Sequence, residues 1–207
     1  MSELTLSPEL SRKIADIYQA MAAQYDIVAQ KIPLTCEGCP DNCCDSYFQH
    51  YTYVEWAYLW EGLRALDQGT MERILTRAKA YVEESKQLLA RGERPQLKCP
   101  LLDDKLCGLY QHRLMICRNH GVPALLTRPD GQQMRFPGCF RCQEIVKEKY
   151  KEETDAPAME RTSLYRQMAQ LESELLGNVR HLYPKNKLTI AEMIVNGPPQ
   201  DIESCLK

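Results

Sequence analysis

Ten cysteines dominate the chemistry this chain can perform, and nine of them fall between Cys36 and Cys142. They stand at 36, 39, 43, 44, 99, 107, 117, 139 and 142, with Cys205 alone near the C-terminus. Cys36-Glu37-Gly38-Cys39 is a Cys-x-x-Cys knuckle, whose tight turn brings two sulfurs round to one ion. A second knuckle, Cys139-Phe140-Arg141-Cys142, follows Pro137-Gly138. Neighbouring side chains in an extended segment point to opposite faces, so Cys43 and Cys44 do not easily grip one ion. Either they serve different metals or they hold different atoms of a multinuclear cluster; a single site with spare thiols is a third arrangement. Ligation this rich in thiolate suits zinc, iron–sulfur clusters or copper(I), and no oxygen-rich loop for calcium or magnesium is present. Cys205 fits the plainer role of a small buried hydrophobe.

Metal ligation is preferred to disulfides because the N-terminal stretch MSELTLSPEL has neither the basic nor the apolar region of a secretory signal. The expected compartment is the cytoplasm, where thiols stay reduced. A redox role for a Cys-x-x-Cys pair would need a βαβ context, which the sequence lacks. With 26 basic and 28 acidic side chains the formal charge is −2, which disfavours nucleic-acid binding through bulk positive charge. No stretch approaches the roughly 20 apolar residues of a membrane span, so no membrane partner is expected.

The elements that must position these thiols are mostly helices. Ser7 and Pro8 open a helix over 8–32, in which Leu10, Ile14, Ile17, Met21, Tyr25, Val28 and Ile32 recur at three- or four-residue spacing. That stripe reads as a packing face and is also the candidate surface for a homo-oligomer. Thr52-Tyr53-Val54-Glu55 has the capping-box pattern and opens an aromatic-rich helix to about Leu66; Thr70 starts another that runs to Gly92. Trp56, Tyr58 and Trp60 are expected in the core of this hairpin. From Lys98 to Gln143 the chain breaks into short apolar pieces. Asp103-Asp104-Lys105 makes one turn, and Pro129-Asp130-Gly131 separates Ala124–Thr127 from Met134–Phe136 as a β-hairpin. Tyr110 to Cys117 reads as a short helix, and the charged run over 143–156 as a solvated helix face and tip. Met159, Leu164, Met168, Leu171, Leu175, Val179 and Leu182 predict a helix ending before Pro184, and Thr189-Ile190-Ala191-Glu192 is another capping box.

The expected fold is therefore mainly α: a helical domain around a small, irregular cysteine-rich metal-binding core with a minor β-hairpin. Three segments follow, an N-terminal helix (1–35), a cysteine-cluster domain (36–142) with an inserted helical hairpin (52–92), and a C-terminal helical segment (143–207).

Two blocks carry a family resemblance. Cys36-x-x-Cys39-x-x-x-Cys43-Cys44 and Cys99-Pro100-Leu101-Leu102-Asp103-Asp104-Lys105-Leu106-Cys107-Gly108-Leu109-Tyr110-Gln111-His112-Arg113, running on to Cys117-Arg118, resemble the YkgJ-like cysteine-cluster proteins, described as zinc- or iron-chelating domains. The likeness covers roughly residues 36–142. It implies that Cys36, Cys39, Cys43, Cys44, Cys99, Cys107 and Cys117 form the metal-ligand set, with Cys139 and Cys142 as additions. The family usually has Pro after the Arg of its Tyr-x-x-Arg-Pro stretch; this chain has Leu114, so a helix start is expected to differ there while ligation survives. Some relatives, the flagellin lysine methylases, carry the cysteine domain in a methyltransferase with an iron–sulfur cluster, but no glycine-rich cofactor loop accompanies it here.

These readings converge on a protein that holds an iron–sulfur cluster, of the 4Fe-4S kind or another, or several clusters, in a redox, sensing or cluster-dependent role. Adjacent thiols and surplus ligands favour the cluster; separated Cys-x-x-Cys pairs are also how structural zinc sites are built, so a Zn2+ interaction module, or a metal storage or delivery protein, stands as the alternative. Arg113, Arg118 and His120 are candidates to moderate the excess negative charge of clustered thiolates. His120 is also a candidate ligand; His50 and His112 have weaker claims, and His181 is expected at the surface. Whether the chain is an enzyme stays open. An enzymatic reading would use Tyr110 or His120 as acid or base beside an open coordination position, and no catalytic residue is assigned.

Overall fold

Ser7 opens the first helix, its hydroxyl accepting from the Leu10 N–H at 3.2 Å. The computed structural model describes residues 2–37, 43–104 and 106–202. In chain order it contains α1 (Pro8–Lys31), a 3-10 turn (Cys43–Asp45), α2 (Tyr53–Arg64), α3 (Gln68–Ala90), β1 (Leu102–Asp103), β2 (Leu106–Cys107), a 3-10 turn (Tyr110–His112) and α4 (Met115–Asn119). There follow β3 (Ala124–Thr127), β4 (Gln133–Phe136), α5 (Phe140–Lys149), a 3-10 turn (Glu153–Asp155), β5 (Met159–Glu160), α6 (Thr162–Leu176), a 3-10 stretch (Gly177–Leu182) and α7 (Ile190–Val195). Among the described residues helix, α and 3-10 together, makes up 56% and strand 9%, so the fold is mainly α with a small sheet. Among the described residues no helix is long and apolar enough to cross a membrane.

Two compact units divide the chain: Met1–Arg12 with Cys44–Leu114 and Leu171–Lys207, and Lys13–Cys43 with Met115–Gln170. Each is therefore assembled from segments far apart in sequence. The helical hairpin of the first unit is closed by polar groups from its far end. Thr52 caps α2 by accepting from the Glu55 N–H, as its pattern predicts. The buried Glu172 carboxylate of α6 accepts from the Tyr53 and Val54 N–H groups at 3.0 and 2.8 Å, satisfying donors that a helix start leaves without intrahelical partners. The cap of α3 is Asp67, which accepts from the Thr70 N–H at 2.9 Å; the helix thus begins at Gln68, two residues before the expected Thr70. At the end of α7 the indole N–H groups of Trp56 and Trp60 donate to the Met193 carbonyl at 3.1 and 3.0 Å. Both tryptophans therefore act in packing and capping. The α7 capping box forms as expected, with Thr189 and Glu192 bonding reciprocally. Leu59, Leu63, Met193 and Ile194 lie at 0–1% exposure, and Tyr53 meets Tyr183 edge-on at 5.0 Å in a satellite core with Leu4 and Leu176.

In the second unit the apolar stripe of α1 is buried: Ile14, Ile17, Met21 and Val28 are all in the core. The stripe is a packing face. Here α1 meets Gly121, at φ +136, where an added Cβ would sit 2.1 Å from the Tyr25 hydroxyl oxygen, and Arg118 lies over the Tyr18 ring at 4.4 Å. β3 and β4 form the expected antiparallel hairpin, with Ala124 opposite Phe136 and Thr127 opposite Gln133. A third strand was not expected. Met159 and Glu160, read as the start of a helix, instead pair in parallel with Ala124 and Leu125, so α6 begins only at Thr162. Its periodic stripe continues past Gly177, at φ +54, as a tightened 3-10 turn ending at Leu182. The helix expected over Tyr110–Cys117 is broken in two, since Arg113 is extended and α4 starts just after the fully buried Leu114.

Candidate metal centre

In the first unit three cysteine-bearing segments are tied together by backbone hydrogen bonds. The Cys99 N–H donates to the Cys44 carbonyl at 2.7 Å, linking the 3-10 turn to the chain entering β1. The Leu102 N–H returns to the Cys99 carbonyl at 3.0 Å, and Leu102 stands opposite Cys107 in the β1–β2 ladder. The Gly108 N–H closes the frame on the Leu101 carbonyl at 2.8 Å. Cys44, Cys99 and Cys107 are each partly buried. From α3 the buried Tyr81 phenol lies in the field of the Cys99 thiol; its pKa is pushed up to about 12, mainly by burial and then by that sulfur.

In the second unit Cys139 occupies the N-cap position of α5, where the helix dipole favours a thiolate, and its N–H donates to the Gly121 carbonyl at 2.9 Å. Cys142, fully buried, returns on the next turn. Gly138, at φ +86, makes this knuckle, because a Cβ there would lie 2.4 Å from the Gly121 carbonyl oxygen and 3.1 Å from the Cys142 sulfur. Burial, and after it the neighbouring Cys139, push the Cys142 thiol up to about 12, so a metal bound there must displace a firmly held proton. Cys117 sits on α4, partly buried, and Cys36 is exposed beyond the end of α1.

All seven of these cysteines stand as thiols rather than disulfides. The first knuckle's Cys39 lies outside the described residues, as does Cys205; Cys43 is described only as part of its 3-10 turn. The division of the chain runs between Cys43 and Cys44, so the adjacent pair is shared between the two units. Among the described residues, no three His, Cys, Asp or Glu side chains are close enough to hold a metal ion.

The auxiliary candidates are placed as follows. Arg113 lies over the Tyr110 ring at 5.8 Å and Arg118 over Tyr18, so both guanidinium groups are held on aromatic faces. His120 follows α4, its N–H bonded to the Ile116 carbonyl at 3.1 Å. His112 stacks on Tyr58 at 4.5 Å, fills the space beside Gly62 and places Nε2 3.6 Å from a Glu61 oxygen. His181 is exposed, as expected. His50 is the surprise: its backbone pairs with Leu188, and its ring is 1% exposed with no hydrogen-bond partner on either nitrogen. Sequence patterns had no signal for it, since burial of one histidine between two short bridging segments depends on residues almost 140 positions apart.

Comparison with known proteins found no family model, no curated protein and no solved structure that matches this chain.

Proposed function

We propose that this protein holds an iron–sulfur cluster, or one cluster in each unit, through cysteine thiolates. The observation that carries this reading is the backbone frame joining Cys44 to Cys99 and, through Leu102, to Cys107, which ties three sulfur-bearing segments of the first unit together beside the buried Leu101 and Tyr81. The Cys139–Cys142 knuckle supplies a second set in the other unit, which also contains Cys36 and Cys117. On this reading the adjacent Cys43 and Cys44, which fall on either side of the division between the units, are candidate ligands for different clusters. The resemblance of residues 36–142 to YkgJ-like proteins supports the same ligand set of Cys36, Cys39, Cys43, Cys44, Cys99, Cys107 and Cys117, with Cys139 and Cys142 added. Such a cluster would supply one-electron chemistry or a ligand-sensitive sensor, and a reducing cytoplasm is where these thiols would stay available to it.

A zinc site is the second reading, favoured by one feature: the glycine-turned knuckle at Gly138, with Cys139 capping α5, is how zinc knuckles present two sulfurs. Anaerobic purification followed by a visible spectrum and assays of iron, acid-labile sulfide, zinc and copper separates the two. A broad band near roughly 400 nm with matched iron and sulfide is the expected result. A colourless protein carrying stoichiometric zinc and no sulfide would overturn the cluster and leave a structural interaction module.

A further inference from the structure

We propose that Cys139 and Cys142 form a dithiol that exchanges with an external disulfide, Cys139 attacking and Cys142 resolving. Both belong to the second unit and stand on one turn of α5, Cys139 at its N-cap and Cys142 three residues on. That turn is already helical, since the Cys139 carbonyl accepts from the Gln143 N–H at 3.0 Å. Helical geometry sets the two α-carbons about 5 Å apart, inside the range of roughly 4.4–6.8 Å that disulfides span. A disulfide can therefore close between them with little movement of the backbone.

Burial divides the labour between the two sulfurs. Cys139 is partly exposed and is followed by Phe140, which is 64% exposed, whereas Cys142 has no exposed surface. A substrate reaches Cys139, and Cys142 is left to attack from within. The backbone holds this arrangement, with the Cys139 N–H on the Gly121 carbonyl at 2.9 Å and the Gln143 amide on the Gly138 carbonyl at 3.1 Å. A strand–helix–strand setting, the context of redox-active Cys-x-x-Cys pairs, surrounds the knuckle. β4 leads into it through Pro137-Gly138, α5 leaves it, and β5 returns parallel to β3, the strand that pairs with β4. The substrate class is an accessible disulfide, for which Phe140 offers an apolar contact.

The exchange balances. The Cys139 sulfur, its proton given to solvent, attacks one substrate sulfur, forming a mixed disulfide and expelling the other. Cys142 then gives up its proton and attacks the Cys139 sulfur, forming the Cys139–Cys142 bond and expelling the remaining substrate sulfur. Each expelled sulfur takes a proton from solvent. The substrate disulfide is thus reduced to two thiols by two electrons, and the protein dithiol is oxidised. A metal on these two sulfurs and a disulfide between them exclude one another, so for this pair the proposal goes beyond the metal reading.

The test uses full-length protein, purified anaerobically and divided into untreated and chelator-treated portions. Each is reacted with one equivalent of oxidised glutathione, quenched with acid, alkylated and digested with trypsin. Cleavage after Arg135, Arg141 and Lys147 leaves peptides 136–141 and 142–147, each with a single cysteine, so their disulfide-linked pair is diagnostic. That pair is expected to exceed every other disulfide by about ten-fold, because the resolving sulfur is held within one helical turn. Its appearance in either portion supports the exchange; restriction to the chelated portion identifies a metal as the competing occupant. Cys142→Ser should trap glutathione on Cys139, and Cys139→Ser should leave Cys142 unmodified. Absence of the linked pair from both portions would overturn the proposal, as would glutathione on Cys142 in Cys139→Ser. If Cys142→Ser does not fold, the wild-type linkage decides alone. Metal and sulfide are assayed separately, so failure of the cluster reading and failure of the exchange are distinguishable.

Discussion

The helical packing of α2, α3 and α7 and the cysteine-bearing segments from 98 to 142 are built on different principles. In the first, Val54, Leu59, Leu63, Met193 and Ile194 are wholly buried, and the helix ends are closed by Thr52, Glu172, Asp67, Trp56 and Trp60. Little in it needs a further tie. In the second, β1 and β2 have two residues each and α4 has five, lengths at which neither helix nor strand is stable without external support. Leu106 and Tyr110, beside Cys107, are exposed, while Leu101, Leu109, Leu114 and Val122 give these segments a smaller apolar core. Apolar burial holds the first region; on the proposed reading, metal–thiolate bonds hold much of the second.

The largest expected effect breaks the molecule along that contrast. Stripping metal from the anaerobic protein with a strong chelator should release the amides of Leu102, Cys107, Cys117 and Cys142 to hydrogen exchange by about 10³-fold, the scale on which metal binding serves as folding free energy. Amides of Leu59 and Tyr81 should change far less. Equal acceleration in both regions would show that they unfold as one unit and that the contrast is superficial.

A smaller effect runs the other way. Leu59 has no exposed surface, so Leu59→Ala should cost about 2–5 kcal/mol in urea unfolding, from lost burial and the cavity left behind. Its iron or zinc content per folded molecule should stay at the wild-type value. Parallel loss of metal would mean that the helical packing positions the thiols directly, and would merge the two regions energetically.

The same contrast governed what could be read in advance. Wherever a local rule decides, the sequence was sufficient: Ser7-Pro8 for α1, the Thr52 cap of α2, the box at Thr189, and the Pro-Asp-Gly turn of the β3–β4 hairpin. Competition between neighbouring caps moved the α3 start, because an Asp67 carboxylate is as good an acceptor as the hydroxyl three residues on. Long-range pairing escaped altogether. Nothing near Met159 announces a strand, since its partner Ala124 lies in another part of the chain and two apolar residues fit a helical stripe equally well. The cysteines stand out by type and spacing, yet the division of the chain into two units, with breaks after Arg12, Cys43, Leu114 and Gln170, has no local signal. Glu172 and His50 belong with the illegible part: single polar residues whose importance arises only from what surrounds them.

His50 gives the smallest and most selective test. Burial is the main cause holding its pKa below the ordinary 6.5, with the nearby Glu55 carboxylate opposing it less strongly. The folded chain therefore keeps the ring neutral at a pH where the unfolded chain already binds a proton. Above about pH 6.5 neither state is protonated and the stability is fully present. As pH falls below that value the unfolded state gains protons first, and stability declines until the depressed folded pKa is reached, by at most about 1.4 kcal/mol per pH unit for one proton. Acid also displaces metals from thiolates, so the measurement belongs on metal-free protein. Urea midpoints at pH 7.5, 6.5 and 5.5 should fall for the wild type and fall less steeply for His50→Phe, which keeps an apolar ring in the same space. Identical slopes would assign the acid sensitivity to other groups and remove His50 as the weak point of the region that otherwise needs no tie.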